Sequence, residues 1–255
     1  MKIEYFHVSE TDSTFLEIAR VEDCLSQKGI ALPDYIVVDA DFQTSGRGQK
    51  GNSWESERGR NLMFSIAFRP VGVEVTRQFR LSQAMALAVC ETLNNIMEGF
   101  RIKWPNDVYY GEQKVCGMLF ETTWCGREVD RCVVGVGVNV NQAEFRSDAP
   151  NPVSLLMLTG KTYDCNELLI DIIKRFTDAL QTLYTGGDEQ IAMRYQELMI
   201  WRDGLHTYRD GNGQFLACME GVEADGHLRL RDAGGALRRY MFKEVKHIFN
   251  TLECE

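Results

Sequence analysis

The sequence predicts an α+β domain over residues 1–203, followed by a small all-β domain over residues 204–255. Two observations predict this division. Strand-type and helix-type apolar periodicities alternate up to Trp201, and no helical periodicity follows it. After His206, three turn signals separate short strands, and these signals contain the pairs Asn-Gly, Asp-Gly and Gly-Gly. At 44% hydrophobic and 25% charged residues, the chain has the composition of a globular protein with a substantial core.

The elements of the first domain follow from local patterns. Short runs rich in β-branched or aromatic residues predict strands over residues 3–8, 35–40, 61–68, 101–104, 108–110, 115–123 and 131–138. Apolar residues at helical spacing predict helices over residues 76–97, 166–183 and 190–199. An earlier helix begins at Thr11-Asp12-Ser13-Thr14, where Thr14 and Glu17 stand at capping-box spacing. A long polar loop covers residues 41–60.

Charge and composition exclude several classes of protein. A net charge of −9 argues against a general binder of nucleic acid or of anionic membranes, because both would repel the chain. Glu4 stands where a signal peptide would be apolar, and no run reaches the roughly 18 apolar residues of a transmembrane helix. The eight cysteines lack C-x-x-C spacing, which favours reduced thiols in the cytoplasm. None of the four histidines stands at metal-ligand spacing from a cysteine or carboxylate.

The glycine-rich loop is the most informative segment. Gly46, Gly48 and Gly51 allow backbone N–H groups to approach a ligand closely, and Arg47 adds positive charge. Trp54 offers a flat face to a base or ring. The segment therefore suits an anionic, nucleotide-like ligand, although a plain surface loop fits the same composition equally well.

A second segment, Lys-Trp-Pro-Asn-Asp over residues 103–107, precedes a lone lysine. Asn106 and Asp107 can turn the chain or serve as polar ligands. Taken alone, the triplet Pro-Asn-Asp is more often a turn. Lys114 begins an apolar strand, so its ammonium group must either reach solvent or meet an anion.

The third segment is a strand with two glycines. Gly135 and Gly137 weaken a strand unless something approaches its backbone closely, and a bulged strand packed under a helix is the alternative. The two glycines do not form a dinucleotide fingerprint, which requires a third glycine and a helix start. The chain has no Walker A sequence, which excludes a P-loop ATPase.

In this order and spacing, the three segments resemble the motifs of the biotin–protein ligase family over nearly the whole chain. The glycine-rich loop resembles the family's biotin and ATP loop, and residues 103–107 with Lys114 and Gly117 match its most specific motif. The glycine strand that ends at Asn139 resembles the third motif. The resemblance implies an α+β fold with a mixed-sheet catalytic domain of the biotin/lipoate ligase type, helices packed on that sheet, and a C-terminal SH3-like β-barrel.

The resemblance also implies a function. It implies a cytoplasmic, ATP- and Mg²⁺-dependent ligase that activates biotin as biotinyl-5′-AMP and transfers biotin to a lysine of a biotin carboxyl carrier protein. It implies no membrane partner, and no DNA partner because the motifs begin within about ten residues of Met1; a homodimer is left open. The alternatives are a lipoate–protein ligase or acyl transferase and a non-catalytic biotin sensor. Residues 103–107 favour biotin over lipoate, while Arg47 and Lys114 favour an enzyme over a sensor.

By this resemblance, the catalytic residues are Arg47, Asp107 and Lys114. The biotin-binding residues are Ser13, Thr14, Phe15, Gln43, Gly46, Arg47, Gly48, Gln49, Lys114, Gly117 and Gly135. The ATP-binding residues are Arg47, Gly48, Gln49, Trp54, Lys103, Asn106, Lys114 and Asn139, and Asn139 is also the candidate metal ligand. Three positions depart from the family pattern: Phe15 replaces the usual asparagine, Gln49 replaces a second arginine, and Asn52-Ser53 replaces a more basic pair.

Overall fold

The computed structural model describes residues 1–48, 53–146 and 151–249. In chain order its elements are β1 (Ile3–Val8), α1 (Thr14–Gln27), β2 (Tyr35–Ala40), β3 (Leu62–Phe68), a 3-10 turn (Val75–Arg77), α2 (Phe79–Ile96), β4 (Phe100–Lys103), β5 (Asp107–Tyr110), β6 (Gln113–Cys125), β7 (Glu128–Val138), α3 (Leu155–Thr159), α4 (Cys165–Tyr184), α5 (Asp188–Glu197), β8 (His206–Asp210), β9 (Gly213–Val222), β10 (Leu228–Asp232), β11 (Leu237–Tyr240) and β12 (Lys246–His247). Every predicted strand and helix of the first domain is confirmed. The short helix α3 was not predicted.

The larger sheet has seven strands in the order β1-β2-β3-β7-β6-β5-β4. β1 and β2 are parallel, and the other neighbouring pairs are antiparallel. Parallel neighbours need a crossover connection, and α1 is that crossover. The sheet is therefore mixed, with helices packed on it, as predicted.

The two faces of this sheet are covered differently. Along β3, Phe64, Ile66 and Phe68 join the core that contains α2 and α4, whereas Ala67 packs with residues of α1, because side chains alternate along a strand. The buried residues of α1 pack on β2, on β3 and on the middle of β7, at Val133. The glycines of β6 and β7 lie on the rest of that face, which α1 does not cover.

The N-cap of α1 differs from the prediction by one residue. Ser13, not Thr14, is the cap, and its hydroxyl accepts a hydrogen bond from the Phe15 N–H at 3.3 Å. The predicted capping box at Thr14 is therefore wrong. The physical reason is that the Thr14 hydroxyl is bonded to tertiary partners in β3 and in the loop that follows β2, while Glu17 accepts a bond from Thr11 at 2.9 Å.

The C-terminal strands form a second, antiparallel sheet in the order β11-β10-β9-β8-β12. Its buried residues, such as Tyr208 and Leu230, belong to the same apolar core as the larger sheet. Trp104 Nε1–H donates to the Gly226 carbonyl at 3.0 Å, and its ring meets Phe242 edge to face. The second sheet is thus fixed against residues 103–107. The domain boundary after residue 203 stays a prediction.

The described helices and cysteines bear on two further expectations. None of the helices in the described ranges is both long and apolar enough to span a membrane. The described cysteines are free thiols, and burial raises the pKa of Cys90 to about 12. Cys254 lies outside the described residues.

His247 in β12 lies in an aromatic cluster, with its ring centroid 5.0 Å from that of Trp201 and 5.1 Å from that of Tyr208. Burial lowers the pKa of His247 from 6.5 to about 3, and the charges of Lys103 and His206 act in the same direction. Below about pH 6.5, His247 is protonated in the unfolded chain but stays neutral in the folded chain. The free energy of unfolding therefore decreases as the pH falls from 6.5 towards 3.

We expect the His247→Gln variant to lose less stability than the wild type between about pH 7.5 and about pH 5, by on the order of 1 kcal/mol. The measurement is the free energy of unfolding in urea at both pH values. Equal losses in the two proteins would show that His247 does not resist protonation in the folded state.

Candidate functional site

A cavity of about 130 Å³ opens on the face of the larger sheet that α1 leaves uncovered. The structure brings most of the predicted site residues together in its wall: Ser13, Thr14, Phe15, Gln43, Arg47, Gly48, Trp54, Asn106, Asp107, Lys114, Gly117 and Gly135. Six lining residues were not predicted as site residues: Ser53, Ser65, Met118, Leu119, Val136 and Gly137. Gly46, Lys103 and Asn139 are not in the wall, and Gln49 and Gly51 lie outside the described residues.

The register of the sheet explains this assembly. Directly paired residues of neighbouring strands share a face. Ser65 pairs with Gly135, and Gly137 pairs with Gly117, which pairs in turn with Asp107. The three glycines therefore form a strip without side chains, here called the glycine strip. The register of β7 with both neighbours is continuous at these glycines, so the alternative of a bulged strand is wrong.

Two rings lie against the glycine strip. A Cβ atom at Gly137 would stand 2.4 Å from Cε2 of the Trp54 indole, and one at Gly117 would stand 3.1 Å from its Cζ3. A Cβ atom at Gly135 would stand 3.2 Å from the ring of Phe15. These contacts are the close approach that the glycines predicted. Outside the strip, Gly46 allows a similar approach, because its Cβ would stand 2.8 Å from the Trp54 carbonyl oxygen.

The indole of Trp54 occupies part of the site. Its Nε1–H is buried and has no hydrogen-bond partner among the described residues. Ligand pockets commonly hold roughly 300–1,000 Å³, so this cavity is small for one. The position of the indole over the glycine strip accounts for the difference, and an unpartnered buried donor shows that the ring is not anchored there by a hydrogen bond.

One end of the cavity is polar and uncharged. Gln43 Oε1 accepts hydrogen bonds from the Thr14 N–H at 2.8 Å and from the Thr14 hydroxyl at 3.1 Å. The Thr14 hydroxyl also lies 2.9 Å from Ser65 Oγ, and Ser65 is fully buried. The sequence signal for Ser65 was a single hydroxyl in the otherwise apolar strand β3. These groups suit a ligand with neutral donors and acceptors.

The other end carries charge. Lys114 Nζ lies 2.8 Å from Asp107 Oδ1, with 27% and 20% of the two side chains exposed. Of the two outcomes predicted for Lys114, it therefore meets an anion. Arg47 is exposed and forms no ion pair with a described residue. Among the described wall residues two cations thus face one carboxylate, which favours an anionic ligand.

The backbone of Lys114 is fixed by a segment distant in sequence. The register of β5 and β6 shifts next to Lys114, and its N–H donates to the Asn151 carbonyl at 2.8 Å. The Val153 N–H donates to the Lys114 carbonyl at 3.0 Å. Asn139 Nδ2 donates to the carbonyls of Lys114 and Val153, at 3.4 and 3.2 Å. Asn139 Oδ1 is buried and has no partner among the described residues.

Lys103 and Asn106 are held by other contacts. Lys103 Nζ lies 5.0 Å from the ring centroid of Tyr109 and 5.8 Å from that of Phe249, outside the cavity, and burial lowers the pKa of Lys103. Asn106 Nδ2 donates to the Met118 carbonyl, and the Met118 N–H donates to the Asn106 carbonyl at 3.0 Å. Asn106 thereby joins the turn before β5 to the middle of β6.

One group of metal-ligand type is present among the described residues: Glu223, Asp225 and His227, in the connection between β9 and β10. This corrects the expectation that no histidine stands near carboxylates at such spacing. His227 lies 2.9 Å from Asp225 because the turn between β9 and β10 brings them together. Arg239 bonds both carboxylates, so one of their two negative charges is already offset within the protein.

Comparison with known proteins gives a consistent result. The model of the biotin/lipoate A/B protein ligase family matches residues 14–139. The biotin–[acetyl-CoA-carboxylase] ligase of Paracoccus denitrificans is 31% identical over 242 residues, which cover 89% of this chain and 94% of that protein. The bifunctional ligase/repressor BirA of Salmonella typhimurium is 27% identical over 81% of this chain, which spans 64% of the length of that protein.

A solved structure extends the similarity to nearly the whole fold. The biotin protein ligase from Aquifex aeolicus, in complex with biotin and ATP, has a TM-score of 0.76 and 26% sequence identity with this chain. The similarity covers 96% of this chain and 99% of that one.

The glycine strip yields a test that needs no ligand. Gly137→Ala should displace the Trp54 indole, because the new Cβ cannot coexist with it at 2.4 Å. We expect acrylamide to quench Trp54 fluorescence more strongly in this variant, with the signal of the other three tryptophans subtracted by means of Trp54→Phe. Gly211→Ala, at a position with open space around it, is the matched control. Unchanged quenching would mean that the indole does not lie on Gly137.

Proposed function

The chain belongs to the biotin–protein ligase family, and on this basis we propose that it activates biotin with ATP to biotinyl-5′-AMP and transfers the biotin to a lysine of a biotin carboxyl carrier protein. The observation that carries the proposal is the polarity of the cavity. Neutral hydrogen-bonding groups at Thr14, Gln43 and Ser65 lie at one end, and Lys114 and Arg47 lie at the other. Biotin has a neutral ureido head and a carboxylate tail, so the two ends fit the two ends of the molecule.

In this proposal, the ureido group binds Ser13, Thr14 and Gln43, while Phe15 and the glycine strip border the ring system. Ser65 joins this set because its hydroxyl is bonded to Thr14. The glycine-rich loop contributes backbone groups at Gly46 and Gly48, and Gln49 belongs to the same proposed set although it lies outside the described residues.

ATP is proposed to bind between Trp54 and the cationic end. The adenine would stack on the indole, and Asn139 Oδ1 offers a buried acceptor that lacks a partner among the described residues. Arg47 and Lys114 would face the phosphates. Asn106 lies in the cavity wall and Lys103 lies outside it, and their contacts with ATP stay predictions.

The first chemical step joins two anions. A biotin carboxylate oxygen attacks the α-phosphorus of ATP, and pyrophosphate leaves. Lys114, Arg47 and the N–H groups of the loop offset the charge that accumulates in the transition state. Mg²⁺ typically binds ATP phosphates together with one or two protein oxygens. Asp107 in the cavity wall would supply an oxygen donor of that kind, and the ion would add positive charge at the phosphates. Asn139 lies outside the wall, and its role as a metal ligand stays a prediction.

The second step requires a neutral amine. The carrier lysine attacks the carbonyl carbon of the mixed anhydride, an amide bond forms, and AMP leaves with the bonding electron pair. Asp107 is the carboxylate among the described residues of the cavity wall, and it is our candidate for receiving or orienting that amine and for accepting the proton that the amine loses as the amide forms.

The finer sequence predictions remain part of this proposal. The second sheet is proposed to be the SH3-like barrel of the family, and the enzyme is proposed to work in the cytoplasm without a DNA or membrane partner. A homodimer is compatible with the proposal but is not required by it.

The decisive experiment is intact-mass analysis of an apo biotin carboxyl carrier domain after incubation with the protein, biotin and Mg²⁺-ATP. We expect the carrier to gain one biotin, only with ATP present and only with its acceptor lysine intact. Transfer of lipoate or octanoate to a lipoyl domain instead would assign the chain to the sister activity. Biotin binding without any transfer would identify a sensor.

Lys114→Met should lower the rate of biotinyl-5′-AMP formation by about 100- to 1,000-fold, because it removes a cation at the reacting groups. Pyrophosphate release with biotin and ATP measures this rate. Lys174→Met, at an exposed position on α4, is the matched control and should match the wild type. A rate for Lys114→Met within a few-fold of the control would remove Lys114 from its proposed role.

Asp107→Asn separates the two steps. It keeps the shape of the side chain and removes its charge, so single-turnover transfer from preformed biotinyl-5′-AMP to the carrier should slow by about 100-fold or more. Quenched samples analysed by mass give this rate directly. Normal transfer combined with impaired adenylate formation would place Asp107 in the first step only.

A further inference from the structure

Gln142 lies beyond β7, outside the cavity, and is fully buried. Its Oε1 accepts hydrogen bonds from the Glu57 N–H at 3.0 Å and from Asn61 Nδ2 at 2.6 Å. Its Nε2 donates to Glu55 Oε1 at 3.3 Å and to the Glu144 carbonyl at 2.8 Å. Both acceptor sites and both donor hydrogens of the amide are used.

Three of these four partners belong to the segment that follows Trp54, residues 54–61, here called the Trp54 arm. Within the arm, the Trp54 N–H donates to the Gly46 carbonyl at 3.0 Å. Glu55, the next residue, is bonded to Gln142. Trp54 is therefore held on one side by the glycine-rich loop and on the other by Gln142.

The main chain of Gln142 is tied to the segment that fixes Lys114. Its carbonyl accepts the Ser154 hydroxyl at 2.6 Å, and Ser154 caps α3. The neighbouring Val153 donates its N–H to the Lys114 carbonyl at 3.0 Å. Gln142 thus connects the Trp54 arm to the backbone clamp of Lys114, and these are the two groups proposed to border ATP.

A role in packing alone does not account for this residue. Burying an amide costs free energy unless its hydrogen bonds are satisfied, and an apolar side chain of similar volume would fill the same space without that cost. Among the described residues, Gln142 forms no hydrogen bond with the polar end of the cavity, where Thr14 bonds both Gln43 and Ser65. The hydrogen bonds of the Gln142 amide therefore stabilise the side of the site that is proposed to bind ATP.

We infer that Gln142 is a positioning residue that fixes Trp54 relative to Lys114 and thereby sets the affinity of the site for ATP rather than for biotin. The inference rests on the proposed function for the identity of the two ligands. It gives Gln142, which follows the third sequence motif, a role in positioning the groups that border ATP.

The test compares Gln142→Leu with Asn141→Leu in the full chain. Asn141 makes a similar pair of hydrogen bonds, to the Tyr163 carbonyl at 2.8 Å and from the Tyr163 N–H at 2.9 Å, but these hold the connection between α3 and α4. We expect Gln142→Leu to raise the KM for ATP in adenylate formation by on the order of 10- to 100-fold, because small displacements of positioned groups have effects of this size. The Kd for biotin alone, from calorimetry, should stay within about threefold, and Asn141→Leu should change neither constant by more than that.

A double variant that exchanges the amide of Gln142 and the carboxylate of Glu55 tests whether the KM for ATP can be restored. Gln142→Glu places a carboxylate against Glu55 Oε1, 3.3 Å away, and should raise the KM for ATP like the leucine variant. Adding Glu55→Gln restores a donor opposite that carboxylate, while the Glu144 carbonyl still faces a carboxylate oxygen, so the double variant should recover part of the loss in KM. A role confined to general stability would not produce this recovery in KM.

Three results would overturn the inference: a KM for ATP within about twofold of the wild type in Gln142→Leu, equal losses of ATP and biotin affinity, or the same loss in Asn141→Leu. Failure of the wild type itself to form biotinyl-5′-AMP would instead refute the proposed function. The positioning claim is then decided by acrylamide quenching of Trp54, which should increase in Gln142→Leu and not in Asn141→Leu. Unchanged quenching would refute the positioning claim on its own.

Discussion

The site depends on three positions in β6 and β7 that carry no side chain. A methyl group added at Gly137 would collide with the Trp54 ring, and one added at Gly117 or Gly135 would be tightly packed against Trp54 or Phe15. Because side chains alternate along a strand, the neighbouring residues Val134, Val136 and Val138 still fill the core on the opposite face. The sheet can therefore be closely packed on one side and open on the other at the same residues. This combination allows a cavity over the centre of the sheet instead of at its edge.

The two ends of the cavity are held by different parts of the chain. The uncharged end rests on the start of α1 and on β3, where Thr14, Gln43 and Ser65 bond one another. The charged end rests on β5 and β6, and the segment after residue 150 fixes its lysine through the backbone. A local change at one end need not disturb the other, because no hydrogen bond among these groups joins them directly.

Sequence patterns predicted the strands well because the buried strands are continuous β-branched and aromatic runs, such as Tyr35–Ala40. The resemblance to the biotin–protein ligase family predicted which three segments meet. Sequence patterns did not reveal Ser65, because one hydroxyl in an apolar strand is locally indistinguishable from a satisfied core serine. Nor did they reveal that Ser13 rather than Thr14 caps α1, since the Thr14 hydroxyl is bonded to Gln43 and Ser65 far away in the chain. Asn139, which holds the backbone of Lys114, likewise has its partner far away in the chain. Tertiary hydrogen bonds of this kind leave no periodic signal.

The ion pair between Lys114 and Asp107 has a consequence for ligand discrimination. Lys114 already has an anion of its own, tethered to the protein and therefore present at a fixed, high local concentration. A ligand carboxylate must compete with that tethered anion, so its charge gains less than an encounter with an unpaired lysine would provide. Under the proposed function, a biotin derivative with an amide in place of the carboxylate would lose little of its interaction with Lys114, because Asp107 would remain bonded to that lysine. Arg47, which forms no ion pair with a described residue, would then account for most of the preference for the acid.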